Sequence, residues 1–242
     1  MKHVDRNNLN GLVVIPARGG SKGVPKKNIK ILGGNPLIYY SIRSAQDLGE
    51  KLKVFVSTDS EDIAAVARGF GADVPVLRPN HLSGDAVGDM PVLKDALIEA
   101  RKFYEIDFDY VVMLQPTSPF RPSSLLNNAI DKLFFDQLDS VWSAKIVDLK
   151  YHPLKQLVVD KDTGQIKYFD DRGFHVIRRQ ELEPTLMRDG RIYALTSAFV
   201  ETSDNLMGNR SGYVVDDSFH CNIDTFDDFA EAEKMSFLLA GQ

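Results

Sequence analysis

Residues 13–29 read VVIPARGGSKGVPKKNI. The apolar run that begins at Leu12 and ends at Pro16–Ala17 is short and unbroken, the pattern of a strand covered on both faces rather than one. It passes directly into a glycine-rich loop that carries Arg18, Lys22, Lys26 and Lys27. Further runs of the same kind follow at 53–59 (KVFVSTD), 74–79 (VPVLRP), 109–117 (DYVVMLQPT) and 140–147 (SVWSAKIV). Between them lie helical patterns at 36–48, 60–71, 88–105 and 122–138, the first with Ile38, Ile42 and Ala45 at i, i+4 and i+7. Strand alternating with helix over short connections predicts an α/β fold with a mainly parallel, doubly wound (Rossmann-like) sheet. Such sheets bind ligands beyond the carboxyl ends of their strands, which is where the basic loop falls.

The rhythm changes after about residue 148. LKQLVVDKDTGQIKYFD reads as two strands around a turn at Asp162-Thr163-Gly164, so residues 148–178 are expected to form an inserted strand pair within a single domain spanning 1–242. RIYALTS (191–197) is expected to return to the core. The segment from Thr225 closes the chain as a helix, with Thr225 as N-cap and Asp228 three residues on.

Charge is segregated. The net charge is −5, yet residues 12–46 hold six Lys or Arg and no acid, so the remainder must carry −11; residues 216–233 hold seven acids and no Lys or Arg. A local positive site in an acidic chain suits a small anion, not a nucleic acid. One cysteine, Cys221, excludes an intrachain disulfide and is expected to be buried rather than nucleophilic. The five histidines have no metal-ligand spacing. No apolar run approaches the roughly 18 residues of a membrane span. The amino-terminal MKHVDRNNLNG lacks the apolar segment of a secretory signal, so a cytoplasmic protein is expected.

Neither G-x-x-x-x-G-K-[ST] nor G-x-G-x-x-G fits the loop, which leaves a generic phosphate cradle of backbone amides and cationic side chains, or a solvated face. IPARGGSKGVPKKNI closely resembles the first motif of the cytidylyltransferases that activate sialic acid and related nine-carbon acidic sugars. STDSEDIAAVARGFGADVPVLRP, LSGDAVGD, LQPTSPFR, RRQELEP, DGRIYALT and NIDTFDDFAEAE resemble the later blocks in the same order, over nearly the whole chain. The resemblance implies a nucleotidyltransferase sheet with a dimerisation insert, and a reaction of CTP with a 2-keto-3-deoxy sugar acid to give the CMP-sugar and pyrophosphate.

It further implies Ala17, Arg18, Gly19, Ser21, Lys22, Lys27, Asn28, Arg78 and Asp85 at the nucleotide, with Arg18, Lys27 and Asp224 as the catalytic set. Lys26 and Lys30 are expected to point to solvent. Gln115, Arg179, Gln180 and Tyr193 are implied at the sugar. Gln115 could equally be a strand-end amide satisfied by loop backbone. Which of Arg179, Arg188 or Arg191 meets the sugar carboxylate stays open. Magnesium is implied at the position of an Asp-x-Asp pair, here Asn222-Ile223-Asp224; alternation on an extended segment puts both polar side chains on one face. If not there, Asp216 and Asp217 are the next acids upstream; Asp227 reads as capping or surface. Relatives often carry a small residue where Arg191 stands, and pairing with Asp189 is the favoured reading of that change. Two other functions are weighed: a sugar-1-phosphate nucleotidyltransferase using another NTP, and a nucleotide-binding regulator without catalysis, favoured by Asn222 alone. A homodimer is expected.

Overall fold

β1 (Gly11–Pro16) has no freedom to be an edge strand: Leu12, Val13, Val14 and Ile15 are all fully buried. In the structure, a computed structural model describing residues 8–49 and 51–240 but not the side chains of Arg179 and 237–240, β1 lies between two parallel neighbours. It pairs with β4 (Leu52–Ser57; Gly11 opposite Leu52) and β5 (Tyr110–Met113; Gly11 opposite Tyr110). Alternation along β1 serves two cores. Val13 and Ile15 enter one with Ile38 and Ile42 of α1 (Leu37–Gln46) and Ile63 and Ala67 of α2 (Glu61–Gly69). Leu12 and Val14 enter the other with Leu93, Ala96 and Leu97 of α3 (Asp89–Tyr104). Each such buried aliphatic contributes about 1.5–3 kcal/mol, so the double winding follows from the unbroken apolar run. Before α1, β2 (Ile31–Leu32) and β3 (Asn35–Pro36) form a small antiparallel pair.

The chain continues through α4 (Ser123–Phe135), β6 (Ser140–Ile146), β7 (Leu157–Val159), β8 (Ile166–Tyr168), β9 (Leu186–Thr196), α5 (Ser197–Thr202), β10 (Ser211–Val215) and α6 (Phe226–Ala240). The main sheet has the order β10-β6-β9-β5-β1-β4. β9 runs antiparallel to β5, Met113 opposite Tyr193; no crossover helix lies between β6 and β9, and an antiparallel strand needs none. The expected strand at 74–79 does not form. Only Asp73 bridges to Phe55, after which Pro75 and Pro79 remove ladder donors. The capping box of α6 is present: Asp228 N–H donates to Thr225 Oγ1 at 3.2 Å and Thr225 N–H to Asp228 Oδ2 at 2.7 Å.

Two compact units emerge, Met1–Ser143 with Asp189–Gln242, and Ala144–Arg188. The second contains the antiparallel β7–β8 pair, Leu157 opposite Tyr168, with the tight loop closed by Asp160, whose carboxylate accepts from the amides of Asp162 and Thr163. No helix among the described residues is long and apolar enough to cross a membrane.

Candidate active site

A cavity of about 500 Å³ lies beyond the carboxyl ends of β1 and β5. It gathers Arg18, Ser21, Lys22, Lys27 and Asn28 from the basic loop, Arg78 and Asp85, Gln115, and Asn222 with Asp224, residues up to 206 positions apart in sequence. The loop is a frame rather than a tether. Val24 is fully buried in the third core cluster, Lys26 takes the left-handed conformation (φ 51), and Lys27–Ile29 form a 3-10 turn. Asn28, buried, donates from Nδ2 to the Arg18 carbonyl at 3.0 Å and so closes the loop on itself.

The cations have definite partners. Arg18 Nη1 lies 2.6 Å from Asp85 Oδ1, and Lys22 Nζ pairs with the other oxygen of the same carboxylate. Lys22 first, then Arg18, hold the Asp85 carboxyl below its ordinary range. Lys26 leaves the cavity for Asp62 at 3.0 Å, both side chains largely exposed, and Lys30 sits 5.4 Å over the Phe229 ring. Lys27 points inward, its side chain 13% exposed. Its ammonium donates to the Ile223 carbonyl at 2.7 Å and lies 3.3 Å from Asp224 Oδ1. Arg78 is buried, donates from Nε to Ser83 Oγ at 3.2 Å, and has its pKa lowered by that burial, against the pull of Asp59 and Asp95.

The acidic segment opposite is extended. Ile223 is fully buried beside Val24, Leu37 and Phe229, and its N–H donates to the Thr117 carbonyl at 2.8 Å. Alternation then turns Asn222 and Asp224 outward together into the cavity. Asn222 Nδ2 donates to Asp224 Oδ2 at 2.5 Å, so the amide braces the carboxylate. Gly23 makes this approach possible, since a Cβ there would lie 2.1 Å from the Asp224 carbonyl oxygen. Gly23→Ala is expected to push the basic loop off the acidic segment. A misplacement of about 1 Å costs about a hundredfold in rate; steady-state turnover beside a thermal melt checks this, with the melt lowered by a few degrees because the clash is with main chain.

Not every expected residue reaches the cavity. Ala17 is buried at the strand end with its N–H on the Ser57 carbonyl, and the Gly19 N–H is taken by Asp59 Oδ1 at 2.8 Å. Tyr193 is a core residue, edge-on to Trp142 with ring centroids 5.1 Å apart. Its position on β9 alternates with Ile192, and the resemblance carried no information about which face it takes. Gln180 is exposed on the 3-10 turn Arg179–Glu181 of the second unit; the side chain of Arg179 lies outside the described residues. Arg188 is exposed.

Arg191 pairs with Asp189 as expected, at 2.8 Å with both side chains fully buried. It also holds Asp216, at 2.8 Å from Nη1 to Oδ1, which commits that acid elsewhere than to a metal. Asp217 and Asp227 are exposed. Arg121, to which the sequence reading gave no role, is buried beneath Gln115: Nε donates to the Arg191 carbonyl at 2.6 Å, Nη1 to Ser41 Oγ at 3.0 Å, and Nη2 to the Gln115 carbonyl. Burial lowers its pKa to about 9 against the attraction of Asp189. Hydropathy ranks arginine as surface, so no periodicity could have found it. The Cys221 thiol is pushed up to about 12, chiefly by burial and then by Glu231 and Asp228, which leaves it a poor nucleophile. Among the described residues no group of three or more His, Cys, Asp or Glu could hold a metal.

The cytidylyltransferase family profile matches residues 12–236. The chain belongs to the cytidylyltransferase family. Among curated relatives of this cytidylyltransferase is a pseudaminic acid cytidylyltransferase of Campylobacter jejuni, 32% identical over 226 residues that cover 93% of this chain and 95% of that one. An N-acylneuraminate cytidylyltransferase of Streptococcus agalactiae is 33% identical over 221 residues, 90% of this chain and 51% of that longer protein. The fold matches a CMP-2-keto-3-deoxy-manno-octonic acid synthetase solved with CTP, at a TM-score of 0.66 and 21% identity over 96% of this chain and 99% of that one.

Proposed function

We propose that this cytidylyltransferase joins CTP to a nine-carbon 2-keto-3-deoxy sugar acid of the sialic type, giving the CMP-sugar and pyrophosphate. The anomeric hydroxyl oxygen forms the new bond to the α-phosphorus as its proton leaves, and the α–β bridging bond breaks with its electrons on pyrophosphate. Such transfers depend on positioning and charge stabilisation more than on covalent chemistry. The observation that carries the reading is that one cavity brings Arg18, Lys22 and Lys27 of one loop together with Asp224 of another. The activities of the pseudaminic and neuraminic relatives support the acidic nine-carbon class.

In this reading Arg18 and Lys22 meet the outer phosphates; that both converge on one carboxylate supports their sharing one anion. Lys27 meets the α-phosphate, Ser21 and Arg78 the nucleotide, and Asn28, Ala17 and Gly19 shape the loop. Gln115 faces the sugar. Arg191 is fully buried in its own ion pairs with Asp189 and Asp216, so it is not the arginine that meets the sugar carboxylate. The residues fit magnesium held jointly with the nucleotide: Asp224 offers an exposed carboxylate and Asn222 a neutral amide beside it, and magnesium usually takes one or two carboxylates plus phosphate oxygens and water. Such an ion would neutralise charge on the phosphate oxygens. Asn222, as it is bonded, serves better as the brace of Asp224 than as a ligand.

A homodimer is part of the same proposal. β7 and β8 have three residues each, a marginal pair alone, and Leu157, Val159, Ile166, Phe169 and Phe174 of that unit are exposed. Sedimentation at micromolar concentration is expected to give twice the chain mass; a monomer would remove the dimer from the proposal. Use of CTP fits a cytoplasmic enzyme. The function itself is tested by pyrophosphate release from CTP with a panel of sugar acids and magnesium. Turnover that requires both CTP and a carboxylated sugar is expected. Turnover with a sugar 1-phosphate and another NTP, or nucleotide binding without turnover, would overturn it.

A further inference from the structure

Arg191 has no solvent exposure at all, and its guanidinium does more than neutralise Asp189. Nη1 reaches Asp216 Oδ1 at 2.8 Å and Nη2 the Asp216 carbonyl at 2.9 Å. Asp216 is the first residue after β10 and opens the connector that ends in Asn222-Ile223-Asp224. The main chain of Arg191 acts in the other direction. Its carbonyl accepts from Arg121 Nε at 2.6 Å, and Arg121 holds the Gln115 carbonyl. One residue of β9 thus fixes the start of the segment bearing Asp224 and, through Arg121, the end of the segment bearing Gln115. Buried ion pairs are poor stability devices, because hydrophobic replacements of equal volume often match them; their best-attested use is in fixing register. Two arginines facing two aspartates satisfy the charge balance, and no apolar side chain at 191 could supply the donors that Asp216 accepts.

We propose that Arg191 is a positioning residue that sets Gln115 and Asp224 in register across the cavity. Its consequence for turnover rests on the proposed function; the tie itself does not. Arg191→Lys keeps a cation but loses the fork that spans Asp189 and Asp216. Hydrogen exchange, measured without substrates, is expected to run at least about tenfold faster in residues 217–224, including the Ile223 amide bound to Thr117, with β1 and α3 unchanged within about twofold. In steady state kcat is expected to fall about tenfold; the main-chain branch from Arg191 through Arg121 to Gln115 survives this substitution, so the KM for the sugar acid and for CTP are expected to stay within about twofold. Asp216→Ala cuts the connector branch alone and is expected to lower kcat with the sugar KM unchanged. Unchanged exchange at 217–224, or faster exchange throughout with normal kinetics per folded molecule, would overturn the proposal. An unaltered protein without turnover would sink the functional reading instead, and the exchange data would still decide the tie.

Discussion

Lys27→Ala is expected to lower turnover a hundred- to a thousandfold while changing CTP affinity far less. Lost donors aimed at charge that develops in the transition state cost about 3–4 kcal/mol. Lys27 fits that role better than its neighbours. Lys26 faces Asp62, and Lys22 is 80% exposed, whereas the Lys27 side chain is 13% exposed and its turn is held by Val24 and Asn28. A preorganised cation in a partly dry site stabilises new charge without reorganising. The substitution also removes the bond to the Ile223 carbonyl, a loss of about 1–3 kcal/mol in stability if that oxygen is left unpaired. For a chain of this size that shifts the melting temperature by a few degrees, about 2–4 °C per kcal/mol. kcat, KM and a melt on one preparation separate the effects. Unchanged turnover would remove Lys27 from catalysis, and a rise in KM alone would make it a binding residue.

Asp224→Asn is expected to abolish magnesium-dependent turnover and to leave the fold intact. The structural bonds of Asp224 come from its main chain, N–H to Asp228 Oδ2 at 2.9 Å, while its carboxylate is 64% exposed. It is the only acid in the tripeptide, and a hard cation prefers carboxylate oxygen. Asn222→Asp should be tolerated. Without the ion it would set two carboxylates against each other where an amide now donates at 2.5 Å. With the ion between them, its attraction for both carboxylates would outweigh that repulsion. The magnesium concentration for half-maximal rate should fall, and the melting temperature should respond to magnesium more steeply than in the unaltered protein. Near-normal turnover and magnesium response in Asp224→Asn would move the ion elsewhere. Asp217, exposed, would then be the next acid to change, since Asp216 is held by Arg191.

What the sequence determined by itself was local. An unbroken apolar run at 12–16 can only be covered on both faces, so a doubly wound sheet followed, and a loop of cations after its carboxyl end had to face any ligand. Thr225 and Asp228 announced the last helix because a capping box is complete within four residues. The basic loop, Arg78, Asp85, Gln115, Asn222 and Asp224 were legible as candidates, and the cavity gathers them. Tertiary structure decided the rest. Two prolines outweighed the β-prone residues at 74–79, and the reversal of β9 depended on where the chain returned from an excursion of more than forty residues. Tyr193 went to the core because an alternating strand fixes which residues share a face but not which face is buried. Arg121 was beyond any reading of the chain in one dimension, and of Arg191 only the pairing with Asp189 was legible, not its hold on Asp216. A buried arginine is stable only where acids and carbonyls converge on it, and Asp216 beside Arg191, or Ser41 and the Arg191 carbonyl beside Arg121, become neighbours only once the sheet has formed.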